Sequence, residues 1–159
     1  MSLKPESNPD DPLTTLMNFA KTVFQCDLES IHGQRHWLRV DKTATELCRH
    51  TGVDLTVARC FAYLHDSCRQ DDGGDSRHGI RAAERLPDFR MQVPFLETLN
   101  LRQFELLRYA IRHHVDGKVS DDPTVGTCWD ADRLDLGRVG ITPDPKYMST
   151  KRGKELARG

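Results

Sequence analysis

The chain has 159 residues, with 23 basic against 24 acidic and a formal net charge of −1 at pH 7. That length suits one domain with a real core, and charges of both signs interspersed along it exclude the basic footprint of a protein that grips long nucleic acid. No apolar run approaches the roughly 20 residues that span a bilayer, and the start MSLKPESNPDDP lacks the apolar core of a signal peptide, so a cytoplasmic protein that engages no membrane is expected.

Residues 1–11 are rich in Pro, Ser, Asn and Asp and are expected to form a mobile tail, with the domain over 12–159. From Pro12, Leu13, Leu16, Phe19, Ala20, Val23 and Phe24 recur at three- and four-residue spacings, which predicts a first amphipathic helix. A second is expected through GQRHWLRVDKTATELCRHTG, with Trp37, Val40, Ala44, Leu47 and Cys48 inward and Gly52 as its stop. DLTVARCFAYLHD opens on Asp54 as N-cap and is apolar nearly all round, as a central buried helix would be. DSRHGIRAAERL reads as a loop entering a short helix that Pro87 closes or holds in its last turn. LRQFELLRYAIRHH is a further helix ending at Asp116 and Gly117, and TVGTCWDADRLDLGRV predicts a last long helix capped by Gly140. No β-branched run alternates with period two, so the fold class is all-α, a single bundle of about six helices.

The five cysteines, Cys26, Cys48, Cys60, Cys68 and Cys128, are an odd number without a C-x-x-C pair and read as free thiols. The seven histidines say more, because six of them fall into four short motifs. In HGQRHW, His32 and His36 are four apart and share a helix face if both are helical; His32 as a simple cap is the plainer reading. In LHD, His65 and Asp66 stand where a buried helix meets a loop crowded with charge. An adjacent imidazole and carboxylate there suit a divalent ion such as Mn, Fe, Co, Mg or Zn. His78 closes that loop. His113 and His114 extend the apolar face of the LRQFELLRYAIRHH helix past its edge, or else answer its dipole. WDADRLDLG places Asp130, Asp132 and Asp135 in an apolar pattern where carboxylates need a counterion or a metal.

In this order, on a helical background, these motifs resemble the HD-domain superfamily of metal-dependent phosphohydrolases from about Pro12 to Ile141. The resemblance implies His36 as first metal ligand, His65 and Asp66 as the paired signature and Asp132, in its ADRL setting, as the closing ligand, with Asp130 as rival. His78, His113 and His114 resemble the extra ligands by which the HD-GYP phosphodiesterases and the HD-type dinucleoside tetraphosphate hydrolases hold a second ion; the GYP signature is missing. The activity implied is hydrolysis of a phosphoester or phosphoanhydride of a small metabolite, a nucleotide or dinucleotide, by metal-activated water. Asp66 is then central to catalysis, with His32, His114 or Asp135 handling the proton. Arg35, Arg69, Arg81 and Arg133 are candidate phosphate contacts, each with a surface or structural ion pair as its alternative. Two other readings fit the motifs: a mixed-valent di-iron oxygenase on the same ligand set, and a catalytically silent metal or nucleotide sensor.

Overall fold

Helix starts and stops follow local capping chemistry. The structure, a computed structural model, describes residues 11–159, apart from the side chains of His50 and Thr51. The tail expected over 1–11 lies outside the described residues except for Asp11. Asp11 caps the first helix, α1 (Pro12–Val23), accepting from the Leu13 amide at 3.0 Å. α2 (Gln34–Thr51) ends at Gly52, whose φ of 63° is the left-handed geometry that stops a helix without a Cβ penalty. Asp54 caps α3 (Leu55–Leu64) through the Val57 amide, and every α3 residue from Cys60 to Leu64 is buried.

The chain continues through α4 (His78–Gln92), the single turn α5 (Pro94–Glu97), α6 (Leu101–His113) and α7 (Pro123–Arg133) to α8 (Lys151–Arg158). α6 opens with a reciprocal capping box between Asn100 and Gln103. Among the described residues there is no strand, and no helix is long and apolar enough to cross a membrane. The fold is therefore all-α, with eight α-helices among the described residues where about six were expected. α3 is its axis: α2 packs on one side of it, α6 and α7 on others, and α4 lies against α6. Trp37, Phe61, Leu64, Leu86, Leu107 and Ile111 are among the side chains that fill the middle.

Two boundaries differ from the sequence reading. α4 runs five residues beyond Pro87, because burial of Leu86 and Phe89 on either side offsets the hydrogen bond that the ring removes. The long last helix breaks after Arg133 into a 3-10 turn, Leu136–Val139, and Gly140 at φ 77° caps that turn. The break frees Asp135 to bond elsewhere, as described below. α8 was not expected; Thr150 caps it and Asp130 anchors its start.

Candidate metal centre

Helix ends bring the chemistry together. His36 comes from the first turn of α2, His65 caps the C-terminus of α3, Asp66 follows it, His78 opens α4, His114 caps α6 and Asp132 lies near the end of α7. His36 and His65 are fully buried and Asp66, His78 and His114 nearly so. Closeness of α4 and α6 is enforced at Gly79, where a Cβ would meet the Ile111 carbonyl at 2.7 Å and His114 Nδ1 at 3.0 Å.

Each of the four imidazoles is held by Nδ1. His65 Nδ1–H donates to the Phe61 and Ala62 carbonyls (2.9 and 3.0 Å), His114 to the Ile111 carbonyl (2.6 Å), His78 to the Asp75 carbonyl, and His36 to Asp135 Oδ2 (2.7 Å). A carbonyl only accepts, so in the neutral rings Nε2 carries a bare lone pair. Those lone pairs converge: His36 and His65 Nε2 are 3.1 Å apart, His78 and His114 Nε2 2.9 Å apart.

Asp66 lies between the two pairs. Its Oδ2 is 3.2 Å from both His36 and His65 Nε2; its Oδ1 is 2.9 Å from His78 and 3.5 Å from His114 Nε2. Asp132 Oδ1 reaches the first pair at 3.2 and 3.4 Å and is shut from solvent without a hydrogen-bond donor. Two ligand triads result, His36, His65 and Asp132, and Asp66, His78 and His114, with the ligand atoms of each within 4.8 Å of one another. Nitrogen and carboxylate donors in this number suit divalent transition metals. Facing lone pairs and an orphaned carboxylate oxygen are the arrangement that a cation relieves.

In the metal-free protein, protons serve that purpose. Burial pulls His36 and His65 down, but the carboxylates of Asp132, Asp135 and Asp66, which would accept from the protonated ring, lift His36 to about 9, and the charges of Asp66 and Asp132 lift His65 to about 10. Burial would likewise raise Asp66 and Asp132, yet the neighbouring histidines hold both well below the usual carboxylate range. His114 is pushed down, chiefly by burial.

No family model matches the chain, and no curated protein matches it. A solved structure of a "predicted HD superfamily hydrolase" from an uncultured Thermotogales bacterium superposes with a TM-score of 0.70 over 92% of this chain and 83% of that one, at 24% identity. The chain has the HD-domain fold.

Within that HD fold the structure gathers His36, His65, Asp66, His78, His114 and Asp132, and turns other sequence candidates away. His113 is a correction: a third of its side chain is exposed, its ring packs on Tyr109 and its Nδ1 faces Asp116. Asp130 accepts from the Ser149 and Thr150 amides and the Thr150 hydroxyl, so its burial is explained by α8. Arg133 is spent on the carbonyls of Gly117, Lys118 and Tyr147 and lies over the Trp129 ring. Arg35 is exposed beside Glu29, and Arg81 bonds Asp75 and the Cys68 carbonyl. None of these three arginines faces the histidines.

Arg69 does lie at the centre, with Nε 3.9 Å from Asp66 Oδ1. His32, nearly buried, donates Nδ1–H to Asp72 Oδ1 at 3.2 Å, and its ring meets that of His36 edge-on. Burial, more than any charge around it, lowers the His32 pKa. Asp135 bridges His36 and the Arg39 guanidinium (2.7 Å each), fixing the imidazole's tautomer and direction. Sequence reasoning missed Arg39, Asp72 and Arg138. Arg39 is legible only as the residue one turn beyond His36, and Asp72 only as part of the charged loop; Arg138 gives no signal, because the pattern around it reads as continuous helix.

Proposed function

We propose that the protein is a metal-dependent phosphohydrolase that holds two divalent ions, bridged by Asp66. One observation carries this reading: a single buried carboxylate presents its two oxygens to two separate histidine pairs. His36, His65, Asp66 and Asp132 would hold the first ion, and Asp66, His78 and His114 the second. When bound, a pair of divalent ions supplies an acidified water as nucleophile and positive charge for the phosphoryl oxygens. The chain's own groups orient and exclude. The Phe61, Ala62 and Ile111 carbonyls and Asp135 fix the rings, and the helix packing around α3 keeps bulk water from their inner faces. His32, whose Nδ1–H donates to Asp72 and whose pKa burial lowers, would offer the lone pair of Nε2 to take a proton from the attacking water.

The neighbour's description as a hydrolase agrees with this reading. Nucleotides and dinucleotides are the first substrates to test. Protein purified without chelator should contain transition metal and release phosphate from a phosphate-ester panel supplemented with Mn, Fe, Co, Mg or Zn. Metal-replete protein that hydrolyses no ester, yet consumes oxygen when loaded with iron, would replace hydrolysis by oxygenation.

A further inference from the structure

Five buried polar side-chain atoms lack a hydrogen-bond partner among the described residues, and three of them belong to Arg69, Asp132 and Arg138. Unmet bonding is thus concentrated at the metal centre. The two arginines flank it from opposite ligand sets. Arg69 Nε is 3.9 Å from Asp66 Oδ1, the oxygen that faces His78 and His114. Arg138 Nη2 is 3.8 Å from Asp132 Oδ1, the oxygen that faces His36 and His65. Both side chains are only 11% exposed. Their other contacts are to neutral carbonyls: Arg69 Nη1 donates to Asp71 O at 2.7 Å and Arg138 Nη1 to Asp135 O at 2.9 Å.

The carboxylates near these guanidiniums are otherwise engaged. Asp135 is held by Arg39 and His36, Asp75 by Arg81, and Asp72, partly in solvent, faces His32. Asp66 and Asp132, the nearest anions to the two arginines, are the ligands that bound ions would claim. With ions in place, two buried guanidiniums would keep inward N–H groups and no anion to receive them, an arrangement that costs stability unless a ligand supplies the anion.

Resting on the dinuclear reading above, we infer that Arg69 and Arg138 form an anion clamp, one arginine beside each ion, that selects a dianionic phosphomonoester over a phosphodiester. A monoester offers three non-bridging oxygens carrying two charges. A diester offers two oxygens and one charge, too few to engage both ions and both guanidiniums. Planar, paired donors make arginine suited to such oxygens.

The test uses manganese-loaded protein, with metal content measured first, and calorimetric binding of methyl phosphate and dimethyl phosphate at pH 8. Wild-type protein should bind methyl phosphate at least about tenfold more tightly than dimethyl phosphate. Arg69→Gln and Arg138→Gln should each weaken methyl phosphate by about tenfold, leave dimethyl phosphate little changed and keep the bound metal. Arg69→Lys and Arg138→Lys, which keep charge but lose the paired donors, should fall between and serve if glutamine disturbs the fold. Equal or tighter binding of dimethyl phosphate by the metal-loaded wild type, or methyl phosphate affinity unmoved in all four variants, would overturn the clamp alone. Protein that takes up none of Mn, Fe, Co, Mg or Zn would overturn the dinuclear reading and the clamp with it.

Discussion

Two clusters in this molecule bury aspartate, and they do it in opposite ways. Asp41 on α2 is closed by its own chain: Arg59 donates Nε and Nη2 at 2.8 and 3.1 Å, and the Tyr63 hydroxyl donates to Oδ2. Asp66, just past the end of α3, and Asp132, on α7, are surrounded by imidazoles whose lone pairs converge, and Asp132 Oδ1 has no donor. One cluster is complete in protein atoms and ties α2 to α3; the other leaves facing lone pairs and an orphaned carboxylate oxygen, the opening that the proposed ions would fill.

That contrast breaks most sharply under substitution. Asp66→Ala should abolish binding of both ions and activity while helical content measured by circular dichroism is kept. Asp41→Ala should do the reverse, costing about 2–3 kcal/mol in urea unfolding while metal content is unchanged. The figure is below that for a wholly buried pair because Arg59 keeps 31% of its side chain in water. Loss of metal in the Asp41 variant, or tight stoichiometric metal in the Asp66 variant, would erase the distinction.

A pair two residues apart sharpens it. Asp130 and Asp132 differ by about 200° around a helix of 3.6 residues per turn, so one helix cannot aim both at one point. Asp132→Asn should reduce turnover by orders of magnitude. Asp130→Asn should leave most of it and destabilise the fold by about 1–3 kcal/mol, since the carboxylate holds the start of α8. The opposite ranking in a joint assay of rate and thermal stability would exchange their roles.

How far the sequence foretold this depends on where a residue lies. The candidate set His36, the His65–Asp66 pair and Asp132 was legible through the resemblance of its motifs to the HD superfamily; apolar periodicity located the helices that carry them but did not choose between Asp130 and Asp132, which the structure separates by the bonds of Asp130 to the start of α8. The adjacent His113 and His114 were not separable: neighbours on a helix point about 100° apart, and only the packing of His113 on Tyr109 reveals which one turns away. Arg138 was not singled out, because LDLGRV reads as continuing helix, whereas the chain breaks there and brings Arg138 Nη2 to 3.8 Å from Asp132 Oδ1. α8, with a charged sequence and a glycine inside it, offered no apolar stripe; Thr150 and the buried Asp130 are its only early marks.

Acidity gives a gentler test. His36 and His65 are lifted to about 9 and 10, above an unfolded value near 6.5. Their protonation therefore stabilises the metal-free fold fully below about pH 6.5, and that contribution fades as pH rises through 9 to 10. Metal needs the unprotonated rings, so its affinity should climb over the same interval and its uptake near neutral pH should release protons. Calorimetry of metal binding in buffers of different ionisation enthalpy measures that release; uptake without it would contradict the proton-for-metal exchange. At the Asp41 cluster, no such pH-linked metal effect is expected.

The smallest effect is expected at His113. His113→Ala should keep metal content and rate close to wild type, because its ring lies on Tyr109 outside both triads. The most direct measurement of the central claim is metal stoichiometry by elemental analysis, comparing wild type with the His78→Ala, His114→Ala double variant. Two ions bridged by Asp66 predict about two metals per chain in the wild type and about one in the variant. A wild type that saturates at one metal per chain, with the same stoichiometry after both histidines are removed, would contradict it.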